Sequence, residues 1–355
     1  MNVGIPVERK QGEGRVSLTP AVVSDLIISG ATVYVESKAG LKSGYLDEQY
    51  SAVGANIVED QQALYQSSQL IVKVKEPLQE ELPYLTSKHV LFCYLHLAAN
   101  EHLTKAFCRI GNTAIAFELV ESMGHYPLLA PMSDIAGKVA IQLGMHYLMS
   151  VKGGLGVLLE GGCGTPRANV VVLGGGVAGF SAASRAALIG ANVTVFDIKP
   201  DVLKQVNTLG GNVTGLYSHP QVIEEYVKNA DLVVGAVLIP GKSSPVILPE
   251  SLLVQMKQGS VVIDIAIDQG GCVEGIKPTT HANPCYVRKG VQILAVTNLP
   301  GAVPQTASQS LSGAIFPYVR DIVACHDSCS VFDIAALQKI SGLSQAICIK
   351  NGHIE

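Results

Sequence analysis

Val170-Val-Val-Leu-Gly-Gly-Gly-Val-Ala-Gly179 decides the reading of this chain. Four apolar residues, Val170 to Leu173, run straight into Gly174-x-Gly176-x-x-Gly179, and the small-residue stretch Phe180 to Gly190 follows. A strand, a glycine turn and a helix N-terminus make an anion site. The turn lets the backbone approach a pyrophosphate, and the unpaired amides of the first helical turn favour negative charge. Glycine turns are common, so the motif gains its weight from context: a second strand, Asn192 to Phe196, ends in Asp197, 23 residues after Gly174. An acid at that distance accepts from the adenosine ribose hydroxyls and repels a 2′-phosphate. The expected cofactor is NAD rather than NADP.

Outward from that motif the chain alternates short apolar runs with helical stretches. Upstream, Val3 to Ile5, Thr32 to Glu36, Leu70 to Val74, Val90 to Leu95 and Thr113 to Phe117 read as strands. Pro20 to Ser29, Leu46 to Val53 and Asn100 to Ile110 read as helices, each followed by glycine. Ser133 reads as the N-cap of a helix running to about Val151. Five strands are expected downstream: Val170 to Leu173, Asn192 to Phe196, Leu232 to Leu238, Val261 to Ile267 and Val291 to Val296. Gln305 to Cys325 looks helical and returns to the first domain; Ser328 to Glu355 has mixed character. The expected fold class is α/β, with two doubly wound domains joined by long helices. Residues 129–304 form a Rossmann NAD-binding domain, and 1–128 with 305–355 a flavodoxin- or Rossmann-like substrate domain.

Composition excludes several classes. Of 355 residues, 48% are hydrophobic and 15% charged, with mean hydropathy +0.33. No apolar run approaches the roughly 18 to 20 residues that cross a bilayer; the apolar residues fall in short runs, as in strands buried on both faces. A membrane is not an expected partner, and a large subunit interface would absorb the remaining apolar surface. Net charge is −4 without a basic stripe, which argues against nucleic acid. No export signal is visible, and the eight cysteines form no CxxC pair, which suits a cytoplasmic protein with reduced thiols.

In open α/β sheets, ligands bind outside the carboxyl ends of the strands. That rule picks out Lys75, His96 and Glu118, each just past a strand of the first domain, with Arg15 in the loop after the first strand. Taken singly, Arg15 and Lys75 read as solvated cations and His96 as a structural histidine. Together at the strand ends of one cleft they suit a small carboxylate substrate and hydride transfer. In the other domain Asp264 lies inside an apolar run and reads as a buried, hydrogen-bonded group. Asp268 lies at the carboxyl end of that run, beside Gln269-Gly-Gly271, where a nicotinamide would sit.

Longer strings carry a resemblance. Met1-x-Val-Gly-Ile-Pro6, Arg15-Val-x-Leu-Thr-Pro20, Val72-Lys-Val-Lys-Glu-Pro77, Leu95-His-Leu-Ala-Ala99 and Pro131-Met-Ser133 resemble the bacterial L-alanine dehydrogenase family. So do Gly235-Ala-Val-Leu-Ile-Pro-Gly241, Asp264-Ile-Ala-Ile-Asp-Gln-Gly-Gly-Cys272 and Thr297-Asn-Leu-Pro-Gly-Ala-Val-Pro304. The match runs in order from residue 1 to about 320. The related alpha subunit of proton-translocating transhydrogenase shares the architecture and matches these strings less well.

The resemblance implies reversible oxidative deamination of L-alanine to pyruvate and ammonium with NAD. It gives Arg15 the substrate carboxylate and Lys75 the carboxylate or carbonyl oxygen. His96 and Asp268 become the catalytic residues: His96 is the general acid/base, Asp268 stabilises the iminium and orients water or ammonia, and either of the two can be the main base. Glu118 is implied as a supporting partner of the cleft. The implied cofactor contacts are Ser133, Gly174, Gly176, Val177, Ala178, Gly179, Asp197, Ser218, Val237, Leu238, Ile265, Ala266, Ile267, Asp268, Val296, Asn298 and Leu299. A homo-oligomer, a hexamer, is implied too. The tail after about residue 325 departs from the expected pattern: Cys325 stands where some relatives have a metal-binding histidine, near Asp321 and His326, so no metal is expected. The alternatives are a transhydrogenase subunit, an N-carboxyalkyl amino acid dehydrogenase and a non-catalytic NAD sensor.

Overall fold

The computed structural model describes residues 1–97, 100–237, 243–326 and 334–355. Two compact units emerge, Met1–Met132 with Val303–Glu355, and Ser133–Ala302. The first opens with β1 (Asn2–Ile5), β2 (Thr32–Glu36), β3 (Asn56–Val58), β4 (Leu70–Val72), β5 (Val90–Cys93) and β6 (Thr113–Ala116). The second holds β7 (Asn169–Leu173), β8 (Asn192–Asp197), β9 (Val213–Tyr217), β10 (Leu232–Gly235), β11 (Val261–Asp264), β12 (Cys285–Arg288) and β13 (Val291–Leu294). The chain ends in β14 (Ile347–Lys350) and β15 (His353–Ile354), which belong to the first sheet.

Both sheets follow one plan. The second runs β9-β8-β7-β10-β11-β13, with β12 antiparallel at its edge. The first runs β3-β2-β1-β4-β5-β6, with β14 and β15 added antiparallel beyond β6. With only the parallel strands of each unit numbered, this is the Rossmann order 3-2-1-4-5-6, with the direction of winding reversing between β1 and β4 and between β7 and β10. Those two gaps are where a doubly wound sheet leaves room for a ligand.

Core packing follows from the apolar runs. In the first unit Leu64, Ile71, Leu91, Phe107 and Ala114 share a buried cluster, and in the second Val171, Phe196, Val233, Val262 and Ile293 do. Each large buried side chain stabilises the fold by about 1.5–3 kcal/mol. The helix Glu101–Ile110 illustrates local control. The Asn100 side chain accepts from the Leu103 amide at 3.1 Å, and Gly111 ends the helix at φ +80°.

Several expectations need correction. Strands stop at Val72, Cys93, Gly235 and Asp264, whereas the apolar runs continue, because Val74, Leu95 and Ile267 are buried without being in strands. The second sheet has seven strands among the described residues, not five; the edge strands β9 and β12 lack a continuous apolar run. The helix containing Ser133 spans Ala130–Leu148, so Ser133 lies in its first turn and is not its N-cap. The tail, of mixed character in sequence, contributes β14, which pairs with β6.

Candidate active site

In the first unit the functional candidates gather at the carboxyl ends of β4, β5 and β6, around the gap between β1 and β4. β4 runs out into Lys73-Val74-Lys75, and the buried Glu8, just past β1, holds that exit: its carboxylate accepts from the Val74 amide at 2.5 Å and the Lys75 amide at 3.3 Å. Lys73 is buried beneath, with its Nζ 2.7 Å from Glu81 and 3.8 Å from Glu8. Burial pushes the Glu8 carboxyl above its ordinary value, and the Lys73 charge offsets part of that rise. Lys75 is half-buried at this exit.

Arg15 is buried, with its planar fork already engaged. Its Nε donates to Glu13 Oε1 at 2.7 Å and its Nη2 to Oε2 at 2.5 Å, while Nη1 lies 3.1 Å from Met132 Sδ. Burial works against both charges of this pair. Their mutual hydrogen bonds prevail, holding the Glu13 carboxyl below its usual range and raising the Arg15 guanidinium; Lys75 adds to the effect on Glu13. The sequence reading missed Glu13, although a carboxylate two residues from a candidate arginine in Gly12-Glu13-Gly14-Arg15 was a usable signal.

His96 follows β5 in an unusual conformation, φ +48°, in the left-handed region that a non-glycine residue adopts at a cost. Glu118, just past β6, holds it there. Its carboxylate accepts from the His96 amide at 2.6 Å and the Leu95 amide at 3.1 Å, and its Oε1 lies 3.8 Å from the imidazole Nδ1. The imidazole is 48% exposed and stacks against the Tyr94 ring, centroids 6.1 Å apart and planes 6° from parallel. Tyr94 is anchored by its hydroxyl to the Leu128 carbonyl at 2.5 Å. Burial raises the Tyr94 hydroxyl, and Arg15, Glu118 and Glu13 all act on it electrostatically. Tyr94, which sequence reasoning also missed, therefore links the arginine pair to the histidine. Arg15 and Lys75, each beside a carboxylate, thus stand in the same unit as an accessible imidazole, a set of groups suited to an anion that must exchange a proton.

In the second unit the glycine turn sits at the gap between β7 and β10. Gly174 ends β7 at φ +93°, and a Cβ there would stand 2.9 Å from the Ala236 carbonyl oxygen. At Gly179 a Cβ would stand 1.7 Å from the Gly174 carbonyl oxygen, so the helix Val177–Ile189 packs closer than any side chain allows. Around Gly176 nothing lies within 4 Å of an added Cβ. Gly176 is also the N-cap, with no side chain bonded to the first turn, where Val177 is exposed and Ala178 half-buried. Open space beside uncapped amides can receive a pyrophosphate. Asp197 is held in place: it accepts from the Gly175 amide at 2.7 Å and the Lys199 amide at 2.8 Å, and its carbonyl accepts from the Ser218 amide at 3.1 Å.

The remaining nucleotide-side candidates differ in character. Ala266, Ile267, Val296 and Leu299 are buried, so their neighbourhood offers backbone rather than side chain to a ligand. Ile265 and Val237 are half-buried, and Asp268 is exposed in the 3-10 turn Ile265–Gln269. Asn298 adopts φ +60°, and its carbonyl lies 3.0 Å from His281 Nε2. Ser133 is half-buried; the next residue, Asp134, accepts from the Ser181 hydroxyl at 2.5 Å and so ties its own helix to Val177–Ile189. Leu238 lies outside the described residues. Among those described, no group of three or more His, Cys, Asp and Glu could hold a metal ion, and Asp321 pairs with Arg320 at 2.8 Å.

Known proteins resemble this chain over its length. Residues 4–136 match the family model described as alanine dehydrogenase/PNT, N-terminal domain, and residues 140–355 the corresponding C-terminal domain. Alanine dehydrogenase 2 of Staphylococcus aureus is 47% identical over 321 residues, covering 90% of this chain and 86% of that protein. Alanine dehydrogenase of Bacillus subtilis is 44% identical, covering 100% of this chain and 92% of that one. A solved L-alanine dehydrogenase structure superposes with TM-score 0.94 at 42% identity, covering 100% of this chain and 96% of the other. The C-terminal family model reaches residue 355, and the Bacillus subtilis protein is aligned over the whole of this chain.

Proposed function

This chain belongs to the alanine dehydrogenase/PNT family, and from that premise we propose that it is an L-alanine dehydrogenase using NAD. The observation carrying the proposal is the placement of Arg15, Lys75 and His96 at the strand ends of one doubly wound unit. The first unit is then the substrate unit and the second the nucleotide unit. The reaction is L-alanine, NAD⁺ and water to pyruvate, ammonium, NADH and a proton.

Substrate binding follows from charge. Arg15 and Lys75 are the cations offered to the one carboxylate of the substrate. Glu13 occupies the Nε–Nη2 edge of the guanidinium, and Arg15 and the Lys75 ammonium together meet the substrate carboxylate. Lys75 also polarises the carbonyl oxygen of pyruvate in the reverse direction. His96 takes a proton from water as it adds to the imine carbon, and returns one when the carbinolamine loses ammonia. Asp268 balances the positive charge that develops on the substrate's imine nitrogen.

The dinucleotide fits the second unit. The open space at Gly176 and the uncapped first turn receive pyrophosphate, and Asp197 receives the ribose. NAD, when bound, supplies the hydride acceptor. Exposed Ile28, Met123, Val151 and Leu188 support a homo-oligomer, for which we propose a hexamer. The thiols of Cys93, Cys108, Cys163, Cys272, Cys285 and Cys348 suit a cytoplasmic setting. His96→Ala tests the assignment: kcat with L-alanine should fall about 10²- to 10⁴-fold while NADH still binds. An unchanged kcat would remove His96 from the mechanism.

A further inference from the structure

One carboxylate of the second unit has no role in the chemistry above. Asp264, the last residue of β11, is completely buried. Its Oδ1 accepts from the Ala266 amide at 2.9 Å, and its Oδ2 accepts from the Cys272 amide at 2.7 Å and the Val273 amide at 3.2 Å. A single side chain thus gathers amides from both ends of residues 265–273. Gly270 and Gly271 turn the chain back at φ +95° and +76°, and a Cβ on Gly271 would stand 2.8 Å from Asp264 Oδ2. The Gln269 carbonyl accepts from the Ser244 amide at 2.9 Å, which pins the far side. Within this closed loop Ala266, Ile267, Cys272 and Val273 are buried, and Asp268 is the exposed carboxylate.

Burying a carboxylate is costly unless its lone pairs are filled, and three amide donors fill them. What the arrangement secures is the backbone that carries Asp268. We infer that Asp264 is a positioning residue: it fixes residues 265–273 so that the Asp268 carboxylate is presented in one place. This rests on the role proposed above for Asp268.

Asp264→Asn keeps the size of the side chain but turns an amino group toward amide donors. It should lower kcat with L-alanine about tenfold to a hundredfold, the scale of a slightly misplaced catalytic group. Hydrogen exchange across residues 265–273 should quicken more than tenfold while the rest of the chain keeps its protection. In an Asp268→Ala background the same change should cost no further kcat, since a positioning effect vanishes with the group it positions. A kcat within twofold of the original, unchanged exchange, or an undiminished extra loss in the Asp268→Ala background would overturn the inference. Should Asp264→Asn not fold, Gly271→Ala strains the same closure with the carboxylate intact, and the same outcomes apply. A wild-type protein that turns over no L-alanine would sink the functional reading instead, and the exchange result alone would then decide whether Asp264 organises this loop.

Discussion

At the scale of single residues, the chemistry depends on carboxylates that hold the backbone of their neighbours. Glu8 holds the backbone of Lys75, Glu118 that of His96, and Asp197 that of Gly175. Sequence reasoning found Lys75, His96 and Asp197 from their positions after strands. It missed Glu8 and Glu13, because a helper acid leaves no periodic trace, and a left-handed histidine leaves none either. Glu13 gives a pH prediction. Its folded pKa lies below the ordinary 4.5, so the unfolded chain takes up the proton first on acidification. The stability Glu13 contributes is present above about pH 4.5 and is lost as pH falls through its folded pKa. Glu13→Gln should flatten that acid limb in thermal melts. It should also lower the melting temperature at neutral pH, by replacing the carboxylate of a buried ion pair with a neutral amide. A variant melting like the original at neutral pH would mean the pair is dispensable. Asp197→Ala should erode the preference for NAD over NADP, read as the ratio of kcat/KM values, and an unchanged ratio would assign cofactor choice to another residue.

At the scale of elements, the glycine turn separates packing from binding. Gly179→Ala places a methyl group where only 1.7 Å is free, so the helix Val177–Ile189 must shift and melting should fall markedly; overpacking typically costs about 1–3 kcal/mol or more. Gly176→Ala meets no neighbour and should melt as the original does while binding NADH more weakly. Equal melting losses for both would contradict this division. Strand cores such as Val170–Leu173 were legible because strands buried on both faces read as continuous apolar runs. Strand ends were not, because buried loops such as Val74 and Leu95 are equally apolar. The edge strands β3, β9, β12 and β15, and β14 next to an edge, were missed for the opposite reason: part of each is not buried and breaks the run.

At the scale of the whole molecule, two sheets of the same winding order carry two kinds of site, one rich in paired charges and one lined by glycine and backbone amides. Alternation of strands and helices made the class legible, and GxGxxG with its distant acid marked the nucleotide side. That the first sheet shares the Rossmann order, and that the last residues complete it through β14, is long-range pairing no local pattern encodes. No helix among the described residues is long and apolar enough to cross a membrane. The most direct test of the functional account is initial-rate NADH formation with a panel of L-amino acids, with NADP⁺ in parallel. The account predicts strong turnover with L-alanine and NAD⁺ and little with NADP⁺. Silence across the panel from a protein that still binds NADH would contradict it and favour the hydride-exchanging subunit of a transhydrogenase.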